Sequence, residues 1–286
     1  MGKLLDKALA PEVLNSAWKR LRNDKAEWLP GLPRSAMEKD LVLHLVRLLQ
    51  ELTTGCYRPA AVRQFPVSKG DGKQRIISAH CLRDKLVQRT VLTVLEPIGE
   101  ALFHRDSFAY RPGFTIDMAI ARARENIRCG CAWLVDADIC GFFDNIPHKP
   151  LARIIARAVD DKAVRRLIDQ WLETGTPRTG LLQQRRGIPQ GAIISPFLCN
   201  LYLTDFDLAL EKQNLPFVRY ADDFLIFSPD RKAAETALKF AARQLQKLGL
   251  ELHERKTRVC RSGPGVVFLG RKLPRPEKFV QPARSR

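Results

Sequence analysis

Two adjacent aspartates, Asp222 and Asp223, interrupt the apolar-rich stretch Phe217-Val218-Arg219-Tyr220-Ala221-Asp222-Asp223-Phe224-Leu225-Ile226-Phe227. Successive side chains of a strand point to opposite faces, so neighbouring carboxylates can serve one site only at a bend. The flanking apolar segments therefore predict two strands joined by a tight turn with the acids at its tip. A second segment, Ala132 to Ile139, also reads as a strand. In it Asp136 and Asp138 alternate with Val135, Ala137 and Ile139, which puts both carboxylates on one face. Carboxylates set among Val, Ile and Phe are costly unless something compensates them. A divalent cation with a taste for hard oxygen ligands is the natural compensation. Taken alone, each acidic pair also fits a solvated strand end or a cap.

The remaining composition narrows the class. With 286 residues and 45% hydrophobic content, the chain is long enough for one large or two smaller cores and is not a disordered polymer. Lys and Arg number 48 against 31 Asp and Glu, a net charge of +17. A phosphate backbone is the partner such a surface suits, through counterion release. The basic residues are spread along the chain and form no polybasic tail, which argues against an anionic membrane. No apolar run approaches a membrane span, and the charged N-terminus reads as the start of a helix and not as a signal peptide. The seven cysteines are scattered, with only Cys129 and Cys131 close together. Free thiols in a reducing cytoplasm are the expectation.

Along the chain, residues 1–55 read as helical. Ser35-Ala-Met-Glu38 has the form of a capping box opening a helix from Met37 to Thr54, with Gly55 as its stop. Val62 to Ser68 and Arg75 to Ser78 read as strands around Gly70-Asp71-Gly72, a hairpin signal. Helices are expected from Leu82 to Phe103, from a Thr115 cap to near Gly130, and with breaks from Pro147 to Thr174. A long helix should open at Ser195-Pro196. Ala234, Leu238, Ala241, Leu245 and Leu248 mark an amphipathic helix ending at Gly249. A short strand is expected at Val266 to Leu269, followed by a Pro- and Arg-rich tail.

In chain order these segments resemble the reverse transcriptases, specifically the group II intron-like bacterial branch, over about residues 55 to 270. RPAAVRQFPVSKGDGKQRIIS resembles the opening fingers hairpin, and DKLVQRTVLTVLEPI with SFAYRPG the next block. DADICGFFDNIPH resembles the first catalytic palm motif, GIPQGAIISPFLCNLYL the template- and nucleotide-contacting block, and RYADDFLIF the Y-x-D-D box. LGLELHERKTR and VVFLGRKL resemble the block after it and the primer grip.

The resemblance implies roles residue by residue. Asp138, Asp222 and Asp223 would hold two Mg²⁺ ions, with Mn²⁺ as a substitute, and the Ile139 carbonyl would add a ligand. Asp136 would be structural and Asp144 would cap the turn before Pro147. Lys69 and Arg75 would reach the incoming triphosphate, Gln190 and Gly191 would contact the nucleotide, and Phe143 would be a steric gate against the 2′-hydroxyl. Lys256 would protonate the leaving pyrophosphate. Phe268, Leu269 and Gly270 would form the primer grip.

The implied fold is α+β, a right-hand polymerase with fingers and palm, the palm's antiparallel sheet packed on helices. Its expected parts are a helical N-terminal extension (1–55), mainly fingers (56–131), mainly palm with interleaved finger elements (132–270) and a tail (271–286). Only 16 residues follow Gly270, with Pro274, Pro276 and Pro282 among them, so a helical thumb is expected to be absent or truncated and processivity weak. The implied activity is RNA-directed DNA polymerisation, with an RNA template, a DNA or RNA primer and dNTPs as partners. A CRISPR spacer-acquisition or phage-defence setting is the expected context, with a CRISPR integrase or other defence protein supplying thumb-like contacts. The rival readings are a non-catalytic, maturase-like RNA-binding protein and a structural subunit of a defence complex.

Overall fold

The computed structural model describes residues 2–68, 74–175 and 185–276. The chain forms two compact units, each assembled from two separate stretches: Met1–Leu102 with Phe143–Leu201, and Phe103–Phe142 with Tyr202–Arg286.

In chain order the first unit begins with α1 (Lys3–Ala8), α2 (Pro11–Arg20), α3 (Arg34–Met37) and α4 (Leu41–Thr53). The antiparallel pair β1 (Arg63–Ser68) and β2 (Gln74–Ala79) follows, then α5 (Leu82–Leu102). The second unit opens with α6 (Ile116–Arg128) and β3 (Trp133–Asp138). The chain then builds α7 (Phe142–Asn145), α8 (His148–Ala158), α9 (Lys162–Gly175) and α10 (Ser195–Lys212). It ends with β4 (Phe217–Tyr220), β5 (Asp223–Ser228), α11 (Arg231–Lys247), β6 (Arg258–Arg261) and the two-residue strands β7 (Val267–Phe268) and β8 (Arg271–Lys272).

One predicted start signal fails. Ser35 lies inside α3, no side chain caps that helix, and a 3₁₀ turn at Glu38–Asp40 separates α3 from α4. Glu38 does not reach back to Ser35; its carboxylate takes the Arg34 guanidinium at 2.7 Å, and Arg34 also donates to the Leu21 and Asp24 carbonyls. The ion pair has drawn off the acceptor that the box requires. Thr115 does cap α6 as expected, its hydroxyl accepting from the Met118 amide.

The second unit is built on a four-stranded antiparallel sheet, ordered β4-β5-β3-β6. Strand β6 was not expected from the sequence. It is an edge strand, Arg258-Val-Cys-Arg261, with an exposed arginine at each end and two half-buried residues between them, and so lacks an apolar alternation. On one sheet face Leu134, Leu225 and Phe227 meet Ala119, Ile120, Ala123 and Ile127 of α6 in a single core. The two alanines let that helix lie close to the strands. On the opposite face Val135, Ala137, Phe224 and Ile226 are buried, and Phe224 meets Phe206 of α10 edge-on at 5.3 Å.

Register decides what this sheet carries. Along β3 and β5 the pairs on the α6 face are Leu134 with Phe227, Asp136 with Leu225, and Asp138 with Asp223. The face thus grades from hydrocarbon at one end to opposed carboxylates at the other.

Candidate active site

Asp138 ends β3 and Asp223 opens β5, and the two are directly opposite one another. Directly opposed residues bring their Cβ atoms to about 4.5–5.5 Å. Asp222 belongs to the two-residue turn, Ala221-Asp222, that joins β4 to β5, Tyr220 being paired with Asp223. Ala221 has φ +60°, whereas Asp222 is not among the residues with positive φ. A left-handed first central residue alone is the type II′ pattern, which normally uses glycine there. An alanine in this region stores roughly 1–3 kcal/mol of strain. The turn therefore needs support, and it has it. The Ile139 amide donates to the Asp222 carbonyl at 3.2 Å, and Arg219 donates to the Ala221 carbonyl at 3.0 Å.

The end of β3 is also tied to the segment before β6. Cys140 donates to the Glu251 carbonyl, and His253 donates to the Asp138 carbonyl at 2.8 Å. The turn that follows brings the Lys256 ammonium to 2.7 Å from Asp138 Oδ2. Asp136, one pair further in, is held by Arg258 at 2.9 Å. Asp136, Asp138, Asp222, Asp223 and Lys256 all belong to the second unit.

The carboxylates strain one another electrostatically. Burial, then the charges of Asp136, Asp138 and Asp222, push the Asp223 carboxyl up to about 7, with Lys256 opposing the shift. Burial also raises Asp136, while Arg258 counteracts it. The bond to Asp138 raises the Lys256 ammonium, which stays protonated at neutral pH. Such crowded hard-oxygen donors fit a divalent cation, which removes the repulsion that holds Asp223 up. Among the described residues no group of three His, Cys, Asp or Glu side chains forms a ready-made metal cage.

Phe268, Leu269 and Gly270 also lie in this unit. Phe268 is buried in the α6-side core. Leu269 (φ +49°) and Gly270 (φ +76°) form the two-residue turn between β7 and β8. Two left-handed residues in succession mark a type I′ hairpin.

The other predicted residues lie in the first unit, except Lys69, which falls outside the described residues. Arg75 is exposed on β2, opposite Val67. The Gln190 carbonyl accepts from the Ser78 amide at 2.7 Å, docking the Pro189-Gln190-Gly191 loop on β2. Gly191 has φ +108°, and a Cβ there would sit 2.7 Å from the Ser78 carbonyl oxygen, so its close backbone approach is to the chain's own strand. The Gln190 side-chain amide donates to Asp144 at 2.9 Å. Asp144 stands within α7, which ends two residues before Pro147. Phe143, on the same short helix, is half-buried, and its carbonyl accepts from the Ile188 amide at 2.7 Å.

Two residues went unnoticed in the sequence. Arg219 and Asp207 are fully buried and paired by two hydrogen bonds of 2.8 and 2.6 Å. Their signal was available: each is a charge inside an apolar run, the same anomaly that exposed Asp136 and Asp138.

Residues 67–273 match the family model described as reverse transcriptase (RNA-dependent DNA polymerase). Protein YkfC of Escherichia coli (strain K12) is 28% identical over 314 residues, covering 95% of this chain and 82% of YkfC. The group II intron-encoded protein LtrA of Lactococcus lactis subsp. cremoris is 28% identical over 242 residues, covering 84% of this chain and 40% of LtrA. Among solved structures, telomerase from Candida albicans in complex with a fragment of telomeric RNA shares the fold. Its TM-score is 0.55 at 12% identity, over 74% of this chain and 43% of that one. The chain thus spans less than half the length of LtrA and of the telomerase chain.

Proposed function

The chain belongs to the reverse transcriptase family, and from that premise we propose that it extends a primer 3′-hydroxyl with dNTPs on an RNA template, using Asp138, Asp222 and Asp223 as its metal-binding carboxylates. The observation that carries this reading is the register of β3 on β5, which sets Asp138 opposite Asp223 with Asp222 in the adjoining turn.

A pair of Mg²⁺ ions, when bound, would activate the attacking hydroxyl and neutralise charge on the leaving pyrophosphate. The carboxylates would hold those ions, and the Ile139 carbonyl is the proposed additional oxygen. In the reaction a new bond forms from the primer oxygen to the α-phosphorus, and the bond to the pyrophosphate oxygen breaks. Lys256 is the proposed proton donor to that oxygen. It is a charged ammonium beside Asp138 and must leave that carboxylate to act.

We assign Lys69 and Arg75 to the triphosphate, Gln190 and Gly191 to the nucleotide, and Phe143 to exclusion of the 2′-hydroxyl. Phe268, Leu269 and Gly270, on the β7–β8 hairpin, are assigned to the primer end. These assignments rest on the family motifs. The proposed setting is CRISPR spacer acquisition or phage defence, with a defence protein as partner, and the genes adjoining the coding sequence would test it. Among the described residues no helix is long and apolar enough to cross a membrane.

The direct test is Mg²⁺-dependent dNTP incorporation on a primed RNA. Asp222→Ala combined with Asp223→Ala should abolish it while RNA binding persists. Primer extension by the double variant at the parental rate would remove the catalytic assignment.

A further inference from the structure

Asp222 is held by its backbone at two points, and one of them leads to a buried charge pair with no assigned role. Arg219 is three residues before Asp222 and its side chain is 1% exposed. The guanidinium donates through Nε and Nη2 to the two oxygens of Asp207, at 2.8 and 2.6 Å. Its remaining nitrogen, Nη1, donates to the Ala221 carbonyl at 3.0 Å. Asp207 is 0% exposed on α10, a long helix, and so offers a fixed anchor. The backbone of Arg219 is fixed as well. Its amide donates to the Asp106 carbonyl, and its carbonyl accepts from the Phe108 amide, both at 2.9 Å.

The acceptor is what gives this arrangement meaning. The Ala221 carbonyl belongs to the central peptide of the hairpin turn. Type I′ and type II′ turns share a left-handed first residue and differ by a flip of that peptide, which carries the second residue to positive φ in type I′. Here the second residue is Asp222. With the carbonyl held by Arg219, Asp222 stays at negative φ; with the peptide flipped, its Cα–Cβ bond turns and its carboxylate is redirected. Alanine at the first position makes the hold necessary, because it lacks glycine's ease in either form.

We propose that Arg219, anchored by Asp207, is a positioning residue that locks the Ala221–Asp222 peptide and thereby aims the Asp222 carboxylate at the metal site. The inference rests on the assignment of Asp222 as a metal ligand. It makes the buried pair part of the catalytic architecture, beyond its part in packing.

The test compares three variants of the whole chain. In the first, Arg219→Met is combined with Asp207→Leu, which removes both buried charges and leaves neither unpaired. The second is Arg219→Lys, which keeps a charge beside Asp207 but cannot serve three acceptors in a fixed fork. The third is Asp222→Ala. Thermal unfolding checks the fold, EPR-monitored Mn²⁺ titration reads the carboxylates without turnover, and primer extension gives kcat and KM.

For the paired apolar variant we expect kcat and Mn²⁺ affinity to fall about 10–100-fold, the range for losing a support behind a metal ligand. KM for dNTP and RNA binding should stay within about twofold. Arg219→Lys should fall nearly as far, and it supplies the same comparison if the paired variant does not fold. Parental kcat and Mn²⁺ affinity in a folded variant, with Asp222→Ala inactive, would overturn the positioning role and leave the site assignment standing. An active Asp222→Ala would instead overturn the site assignment beneath it.

Discussion

Asp138 and Asp223 close the paired register of β3 and β5 from opposite sides, and the adjoining turn adds Asp222. Burial first, and then the charges of Asp136, Asp138 and Asp222, raise the Asp223 carboxyl from its ordinary 3.8 to about 7. The sign of the stability effect follows. A carboxyl with a folded pKa above its unfolded one prefers the folded state when protonated. Stability is therefore unaffected below about pH 4, declines between 4 and 7 as only the unfolded chain ionises, and stays reduced above 7. Asp223→Asn removes the slope. In chelator, urea denaturation should find the variant more stable than the parent at pH 8, with the gap closing toward pH 4. Mg²⁺ should then stabilise the parent more than the variant. A gap that does not change between pH 8 and pH 4 contradicts the electrostatic account.

Lys256 reaches Asp138 with a proton it does not readily give up, since that contact raises its pKa. General-acid assistance is worth about 10²–10⁴ in rate. Lys256→Met should lower kcat by at least about 10²-fold and flatten the alkaline limb of the pH–rate profile, with RNA affinity nearly unchanged. Lys256→Arg separates charge from proton transfer. It restores a cation beside Asp138, but a guanidinium is effectively never deprotonated. It should therefore stay impaired, and an Arg variant with parental kcat would reduce Lys256 to a counter-ion.

Ala221 carries the left-handed conformation at a position that usually takes glycine. Ala221→Gly relieves strain in the fold but adds freedom to the unfolded chain. The strain is roughly 1–3 kcal/mol and the added freedom costs about 0.5–1 kcal/mol, so Tm should stay level or rise slightly. Activity should fall several-fold, because the peptide before Asp222 gains freedom. Ala221→Val should lower both stability and rate, as a β-branched side chain tolerates positive φ poorly. Equal activity in Ala221→Gly and the parent would show that the turn needs no conformational restraint.

The acidic half of the sheet was legible because charge and periodicity disagreed with burial. Asp136 and Asp138 alternate with apolar residues, and Asp222-Asp223 interrupts an apolar run, so a strand and a hairpin tip were each predictable before their pairing was known. What could not be read was register: nothing local tells β3 to set Asp138 against Asp223 rather than one pair earlier. Strand β6 escaped because Arg258 and Arg261 flank its two less polar residues, and its partner β3 supplies the order. The Ser35 box misled because Arg34, next to it, competes for Glu38. Arg219 and Asp207 were passed over although each is a charge in an apolar run, because a single buried charge has no visible partner until the helix and strand are brought together.

Gly191 offers a test of the first unit that is independent of the carboxylates of the second. Its φ of +108° lies where a side chain is strained, and a Cβ would meet the Ser78 carbonyl oxygen at 2.7 Å, a backbone atom of β2 that cannot swing aside. The adjoining Gln190 carbonyl accepts from the amide of that same Ser78, so the loop cannot retreat without breaking the bond. Gly191→Ala must therefore either distort β2 or undock the loop. Strain of this kind costs about 1–3 kcal/mol, and the lost hydrogen bond about another 1 kcal/mol. Chemical denaturation should show a loss of roughly 2–4 kcal/mol. If Gln190 also serves the nucleotide, KM for dNTP should rise while Mn²⁺ affinity at the carboxylates of the second unit stays parental. A variant with unaltered stability would mean that the loop does not dock on β2.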